Sequence, residues 1–115
     1  MKYHGSCHCG NIKFTVEGNI ESALSCNCSI CQRKGSLLSF YPENQFTLLT
    51  NGDNVGTYLF NKHVIQHKFC QICGVSPYAQ ANDPQGNPTV ALNIRCLEDF
   101  ELEKIPVHHF NGRDR

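Results

Sequence analysis

Cys70-Gln71-Ile72-Cys73-Gly74 reads as a knuckle for a metal ion. Two residues between the sulfurs let the chain turn around one ion, and Gly74 permits the positive φ that aims backbone N–H groups at sulfur. The competing reading, a thioredoxin-type redox pair, calls for a βαβ setting that the surrounding sequence lacks. A knuckle supplies two of four ligands, and Cys7-His8-Cys9-Gly10 offers the other two. On an extended strand residues i and i+2 share a face, so both sulfurs would reach one ion while His8 points away as a partly exposed neighbour. The alternative makes His8 itself a ligand. Cys7, Cys9, Cys70 and Cys73 together form a closed four-sulfur set with no place for substrate, whose task is folding free energy. Tying the two halves of the chain together removes denatured-state freedom worth on the order of 4 kcal/mol in the chain-entropy view of cross-links.

Cys26-Asn27-Cys28-Ser29-Ile30-Cys31 is a different kind of cluster. It gives three sulfurs locally and leaves one tetrahedral position open, the arrangement expected of a reactive zinc site. In the alternative reading Cys96, or a histidine such as His63 or His67, closes it as a second structural site. His63 and His67 would share a strand face with Ile65 between them. Cys96, within Asn93-Ile94-Arg95-Cys96-Leu97, reads as a small buried hydrophobe at a strand end. If the site is open, three thiolates make Zn²⁺ a weak Lewis acid, better suited to a fourth sulfur than to generating hydroxide. Coordination would lower an incoming thiol's pKa and hold it as a nucleophile toward an aldehyde carbonyl. Arg33 and Lys34 follow directly and are candidate contacts for the carboxylates of a peptide-like thiol, or else solvated helix charges.

The chain has 115 residues and eight cysteines, with ten Lys and Arg balancing ten Asp and Glu. One metal-binding domain over 1–115 fits that length, a small core aided by cross-links. Thiols one or two residues apart are poorly placed for mutual disulfides, so a secreted disulfide scaffold is disfavoured despite the even cysteine count. Ionised cysteines carrying two Zn²⁺ turn the balance negative, which argues against a nucleic-acid partner. The start of the sequence has no apolar signal core, and no stretch approaches membrane-spanning length. The expectation is a soluble cytoplasmic protein, in a compartment that keeps thiols reduced for metal.

The pattern along the chain is mostly β. Ile12, Phe14 and Val16 alternate with Lys13 and Thr15, predicting a half-buried strand over Asn11 to Glu17. Further strands are predicted over Leu37 to Tyr41, Gln45 to Thr50, Thr89 to Arg95 and Val107 to Phe110. Thr57 to Phe60 and Val64 to Phe69 flank Asn61-Lys62 as a hairpin. Ser29 to Gly35 predicts one helical turn capped by Ser29 and ended by Gly35, and the acidic run Leu97 to Lys104 a short helical turn. The fold class expected is one of small antiparallel sheets pinned by metal.

Gly5-Ser6-Cys7-His8-Cys9-Gly10, the Cys26 triplet running on to Arg33-Lys34, and Phe69-Cys70 through Cys73-Gly74 resemble the glutathione-dependent formaldehyde-activating enzyme family, which includes centromere protein V. The likeness continues through Asn93 to Glu98 and the tail His109-Phe110-Asn111-Gly112-Arg113, where Asn111 replaces the family's common acidic residue. The resemblance implies a zinc-carrying β-tent fold. It also implies a structural zinc on Cys7, Cys9, Cys70 and Cys73, and a second zinc on Cys26, Cys28 and Cys31 near a glutathione site. The implied reaction adds the glutathione thiol to formaldehyde, giving S-(hydroxymethyl)glutathione; its reverse is a carbon–sulfur lyase step. Against this enzyme stands a non-catalytic two-zinc module that displays a surface to a protein partner. Thiol-based metal or redox sensing is a third reading.

Overall fold

The computed structural model describes residues 1–59 and 64–114. Its first sheet has three strands, β1 (Lys2–Ser6), β2 (Lys13–Glu17) and β5 (Phe46–Leu48), in the order β1-β2-β5 and antiparallel throughout. The alternation read in Ile12, Phe14 and Val16 is real, and all three are buried. Thr15 is buried as well, so β2, the central strand, is enclosed on both faces and not half-exposed as predicted.

The second sheet carries the remaining strands: β3 (Ala23–Cys26), β4 (Leu38–Pro42), β6 (Val55–Tyr58), β7 (Gln66–Cys70), β8 (Tyr78–Asn82), β9 (Pro88–Asn93) and β10 (Val107–Phe110). Their order is β10-β3-β4-β9-β8-β7-β6. Every described pairing is antiparallel except β10 with β3, which run parallel with Phe110 opposite Cys26. That ladder brings the end of the chain back to the cysteine triplet. The predicted hairpin is present in that β6 and β7 pair from Val55 opposite Cys70 to Tyr58 opposite His67. Phe60, Asn61, Lys62 and His63 lie outside the described residues.

The predicted strand over Thr89 to Arg95 stops at Asn93. The Asn93 side-chain oxygen accepts from the Arg95 amide at 3.2 Å and opens a 3-10 turn, Ile94–Cys96. The acidic run holds only one such turn, Leu102–Lys104. The helix predicted after the triplet is α1 (Ser29–Lys34), and it ends as predicted. Gly35 takes the left-handed φ of 68° and donates its amide to the Cys31 carbonyl at 2.9 Å. Its cap is Cys28, one residue earlier than predicted, with no side-chain capping hydrogen bond.

Two apolar clusters fill the interior. Phe14, Val16, Ile20, Tyr41, Leu92 and Ile94 make one. Ile12, Tyr78 and Val90 make the other together with Cys7 and Cys70, so two cysteines of the knuckle set are core residues. Phe46 links the clusters, its ring 5.3 Å from Phe14 and 4.7 Å from Tyr78. Among the described residues no helix is long and apolar enough to cross a membrane.

Candidate metal centres

The knuckle forms at the end of β7, where Cys70 leaves the strand. Gly74 has φ 83°, the left-handed conformation its position demands. The tight turn is closed by the Gly74 amide donating to the Cys70 carbonyl at 2.9 Å. The amides of Ile72 and Cys73 point at the Cys70 sulfur at 3.3 and 3.4 Å. Cys7 and Cys9 reach the same place from a turn after β1, not from the extended strand predicted for them. The Ile12 amide donates to the Cys7 sulfur at 3.3 Å. The four sulfurs lie within 4.8 Å of one another. Cys7 and Cys9 are 3.8 Å apart, Cys9 and Cys70 3.6 Å. Tetrahedral zinc with Zn–S of about 2.3 Å requires sulfurs about 3.8 Å apart, so this donor set fits the ion in number, type and spacing.

Electrostatics within this set are uneven. The Val75 amide, outweighing burial, brings Cys73 down to about 6. Cys70 is lowered mainly by the Cys73 amide. The Asn11 amide pulls Cys9 down, but local desolvation and the crowd of neighbouring thiols together outweigh it and raise Cys9 to about 11. His8 is exposed and is not part of the cluster.

Cys26, Cys28 and Cys31 also place their sulfurs within 4.8 Å of one another, and no further Cys, His, Asp or Glu of the described residues joins them. Cys26 ends β3, Cys28 caps α1 and Cys31 lies in its first turn. The Cys28 amide donates to the Cys26 sulfur at 3.5 Å. Burial opposes ionisation of Cys28, but the leaning amides of Cys31 and Ile30 and the two neighbouring thiols together lower it. Burial, then the proximity of Cys28, pushes Cys31 up to about 12. The tail closes over this site. The Asn27 side-chain amide donates to the Asn111 side-chain oxygen at 3.0 Å, and the Arg113 backbone amide donates back to Asn27 at 3.0 Å. Gly112 then passes so close that a Cβ there would sit 2.5 Å from the Cys26 sulfur.

The family model of the glutathione-dependent formaldehyde-activating enzyme matches residues 2–112, which include both cysteine clusters and the tail as far as Gly112. The chain belongs to this family. It is also similar to a solved structure of a protein from Rhodobacter sphaeroides, at 26% identity and a TM-score of 0.78, over 94% of this chain and 100% of that one.

In this family member the remaining candidates separate by position. Cys96 stands apart from both sulfur clusters, packs against the Phe14 cluster and is pushed up to about 11 by burial. Arg33 folds back on its own helix, its guanidinium donating to the Ser29 carbonyl at 2.9 Å. Lys34 instead lines a cavity of about 230 Å³ beside the triplet. Local desolvation lowers its ammonium pKa, against the pull of the Cys31 and Cys28 sulfurs. His67 is buried on the wall of the same cavity, with its pKa lowered by burial and then by Lys34. Ser36 was not singled out by the sequence and lies there too. It is 4% exposed, and its hydroxyl has no hydrogen-bond partner among the described residues. The sequence signal for it was weak, because serine is a residue type found mostly at the surface.

Proposed function

We propose that this chain is a single zinc domain over 1–115 that joins a small thiol such as glutathione to an aldehyde, and splits the adduct in reverse as a carbon–sulfur lyase. Cys7, Cys9, Cys70 and Cys73 hold a structural Zn²⁺; Cys26, Cys28 and Cys31 hold the reactive one. The observation that carries this reading is the triplet itself, three converging sulfurs beside a cavity with no fourth protein ligand among the described residues. The position of Cys96 away from it supports an open site over the closed, non-catalytic module. The family's description is what supports formaldehyde as the aldehyde. Work with free thiols suits the reducing cytoplasm.

Zinc bound to the triplet would supply a soft centre on which a substrate thiol is held as its thiolate. The reaction breaks the S–H bond and forms a C–S bond. The carbonyl π pair moves onto oxygen, which takes up the thiol's proton to become a hydroxyl, and nothing is oxidised or reduced. The chain's own part is to bind and orient. The apolar cavity wall excludes water from the carbonyl, which would otherwise hydrate. Lys34 at the cavity offers a cation to a thiol's carboxylate, while the engaged Arg33 offers less. The Ser36 hydroxyl, without a hydrogen-bond partner among the described residues, is a candidate to pair with the adduct's new hydroxyl.

The test is Co²⁺ substitution at the triplet followed by titration with glutathione. The ligand-field spectrum is expected to change with saturation, and no change with any low-molecular-weight thiol would sink the proposal. Formaldehyde consumption at low thiol concentration separates catalysis from binding: turnover beyond one equivalent of protein is expected, and loss merely stoichiometric with protein means binding alone.

A further inference from the structure

The cavity beside the triplet does not end there. A second hollow of about 320 Å³ shares Phe40, Ile65, Ala79 and Ala91 with it and runs on past Ala81 and Thr89. Strand register explains the shape. Phe40 of β4 lies opposite Ala91 of β9, Ala91 opposite Ala79 of β8, and Ala79 opposite His67 of β7. Side chains on one face recur every second residue, so this row crosses one face of the large sheet, with Leu38 and Asn93 next toward the triplet. Two alanines in the middle of a row flanked by a phenylalanine and a histidine leave a trough floored by methyl groups. The opposite face of the same strands bears Tyr41, Val90 and Leu92 and is filled by the core.

Formaldehyde has no use for such a trough. Apolar cavities of about 150 Å³ already hold a molecule as large as benzene. Lys34 and the buried Ser36 hydroxyl, unpartnered among the described residues, lie in the cavity beside the triplet. The second hollow is lined by Phe40, Ile65 and the alanines, with Gln80, Asn82, Asp83 and Thr89 also in its walls, and the surface it presents is mostly apolar. A ligand with its sulfur at the triplet, its hydroxyl at Ser36 and a carboxylate at Lys34 would therefore direct any further substituent onto the alanine row.

We propose that the carbonyl partner is an aldehyde with a short apolar chain or ring, and that the Phe40–Ala91–Ala79 trough binds this substituent in the thiol–aldehyde adduct. The inference rests on the proposed thiol role of the triplet, and it changes the aldehyde from formaldehyde to a larger one.

Stable S-alkylglutathiones mimic such adducts, with the alkyl group attached to sulfur in place of the aldehyde-derived carbon. Calorimetric titration of the zinc-loaded protein with the S-methyl, S-butyl and S-hexyl compounds reads the trough without any turnover. Affinity is expected to rise about threefold for each methylene that leaves water, reaching on the order of a hundredfold across the series. Ala91→Phe fills the floor and is expected to hold the whole series within about threefold, with zinc content unchanged. Should that variant fold poorly, Phe40→Ala serves instead. Phe40 is 53% exposed, so its truncation leaves the core alone, and about tenfold of the long-chain gain is expected to disappear. Affinity independent of chain length in the unaltered protein would overturn the inference. So would a chain-length gain that survives both substitutions. Glutathione titration of the Co²⁺ form distinguishes the two levels of failure. A normal spectral response with flat S-alkyl affinities rejects the aldehyde assignment alone, whereas no response rejects the thiol reading and this inference with it.

Discussion

Gly112 shows how one residue can be fixed by a sulfur some eighty positions earlier in the sequence. Its backbone is not in the left-handed region, so alanine would be conformationally acceptable; the obstacle is the Cys26 sulfur 2.5 Å from the added Cβ. Gly112→Ala must displace either the tail or Cys26, at a cost of about 1–3 kcal/mol, typical of overpacking. The expected result is loss of metal from the triplet with the knuckle set still loaded, seen as zinc per chain falling from two toward one by elemental analysis. A second prediction concerns thiol reactivity at pH 7 in protein that keeps the knuckle metal and has lost the triplet's. Burial opposes ionisation of Cys28, but the amides of Cys31 and Ile30 and the neighbouring thiols together lower its pKa. Burial, then the proximity of Cys28, pushes Cys31 up to about 12. A thiol with its pKa far above the working pH carries almost no thiolate, and the thiolate is the nucleophile. Cys28 should therefore react with a small aromatic disulfide well before Cys31, as read by mass spectrometry of digests.

At the level of elements, the cysteine spacings were more legible than the strands. Spacing alone separated the knuckle pair from the triplet, because ligands one to three residues apart need only local turns to converge. The strands β1, β3 and β8 were not apparent. Tyr78-Ala79-Gln80-Ala81-Asn82 has a period of two, but alanine is a poor strand former, and what holds it is pairing on both edges with β7 and β9. Those alanines floor the trough, so the same weakness hid a strand and a candidate substrate surface. The parallel pairing of β10 with β3 was equally invisible, since nothing local distinguishes it from an antiparallel edge. Its consequence is testable. Asn27→Ala removes the two side-chain hydrogen bonds that fasten the tail over the triplet loop, leaving the Asn27 backbone amide on the Phe110 carbonyl. At about 1 kcal/mol for each bond, triplet metal affinity should fall roughly tenfold to thirtyfold in competition with a chromophoric chelator. The melting temperature should change little, because both contacts are on the surface.

For the molecule as a whole, the two sulfur sets differ in what surrounds them, and stepwise metal removal should expose the difference. Cys7 and Cys70 are 3% and 0% exposed and belong to the same apolar cluster as Ile12, Tyr78 and Val90. Emptying that set leaves crowded thiols inside a core that joins β1 and β2 to β7, so the metal's binding free energy is folding free energy. The triplet sits at the rim, on the end of β3 and a helix with no buried residues, beside a cavity. Removing its metal costs little packing. Titration with a strong chelator should therefore proceed in two stages. The first zinc leaves with far-UV circular dichroism and tryptic resistance unchanged; the second leaves only with cooperative loss of both. The corresponding substitutions should divide in the same way. Cys70→Ser should leave the chain largely unfolded at ambient temperature, while Cys28→Ser should fold with one zinc and lose its response to glutathione. Zinc release from both sets in a single transition, or a Cys70→Ser protein as stable as Cys28→Ser, would contradict this division, because a sulfur set bound into the core cannot be emptied without unfolding that core.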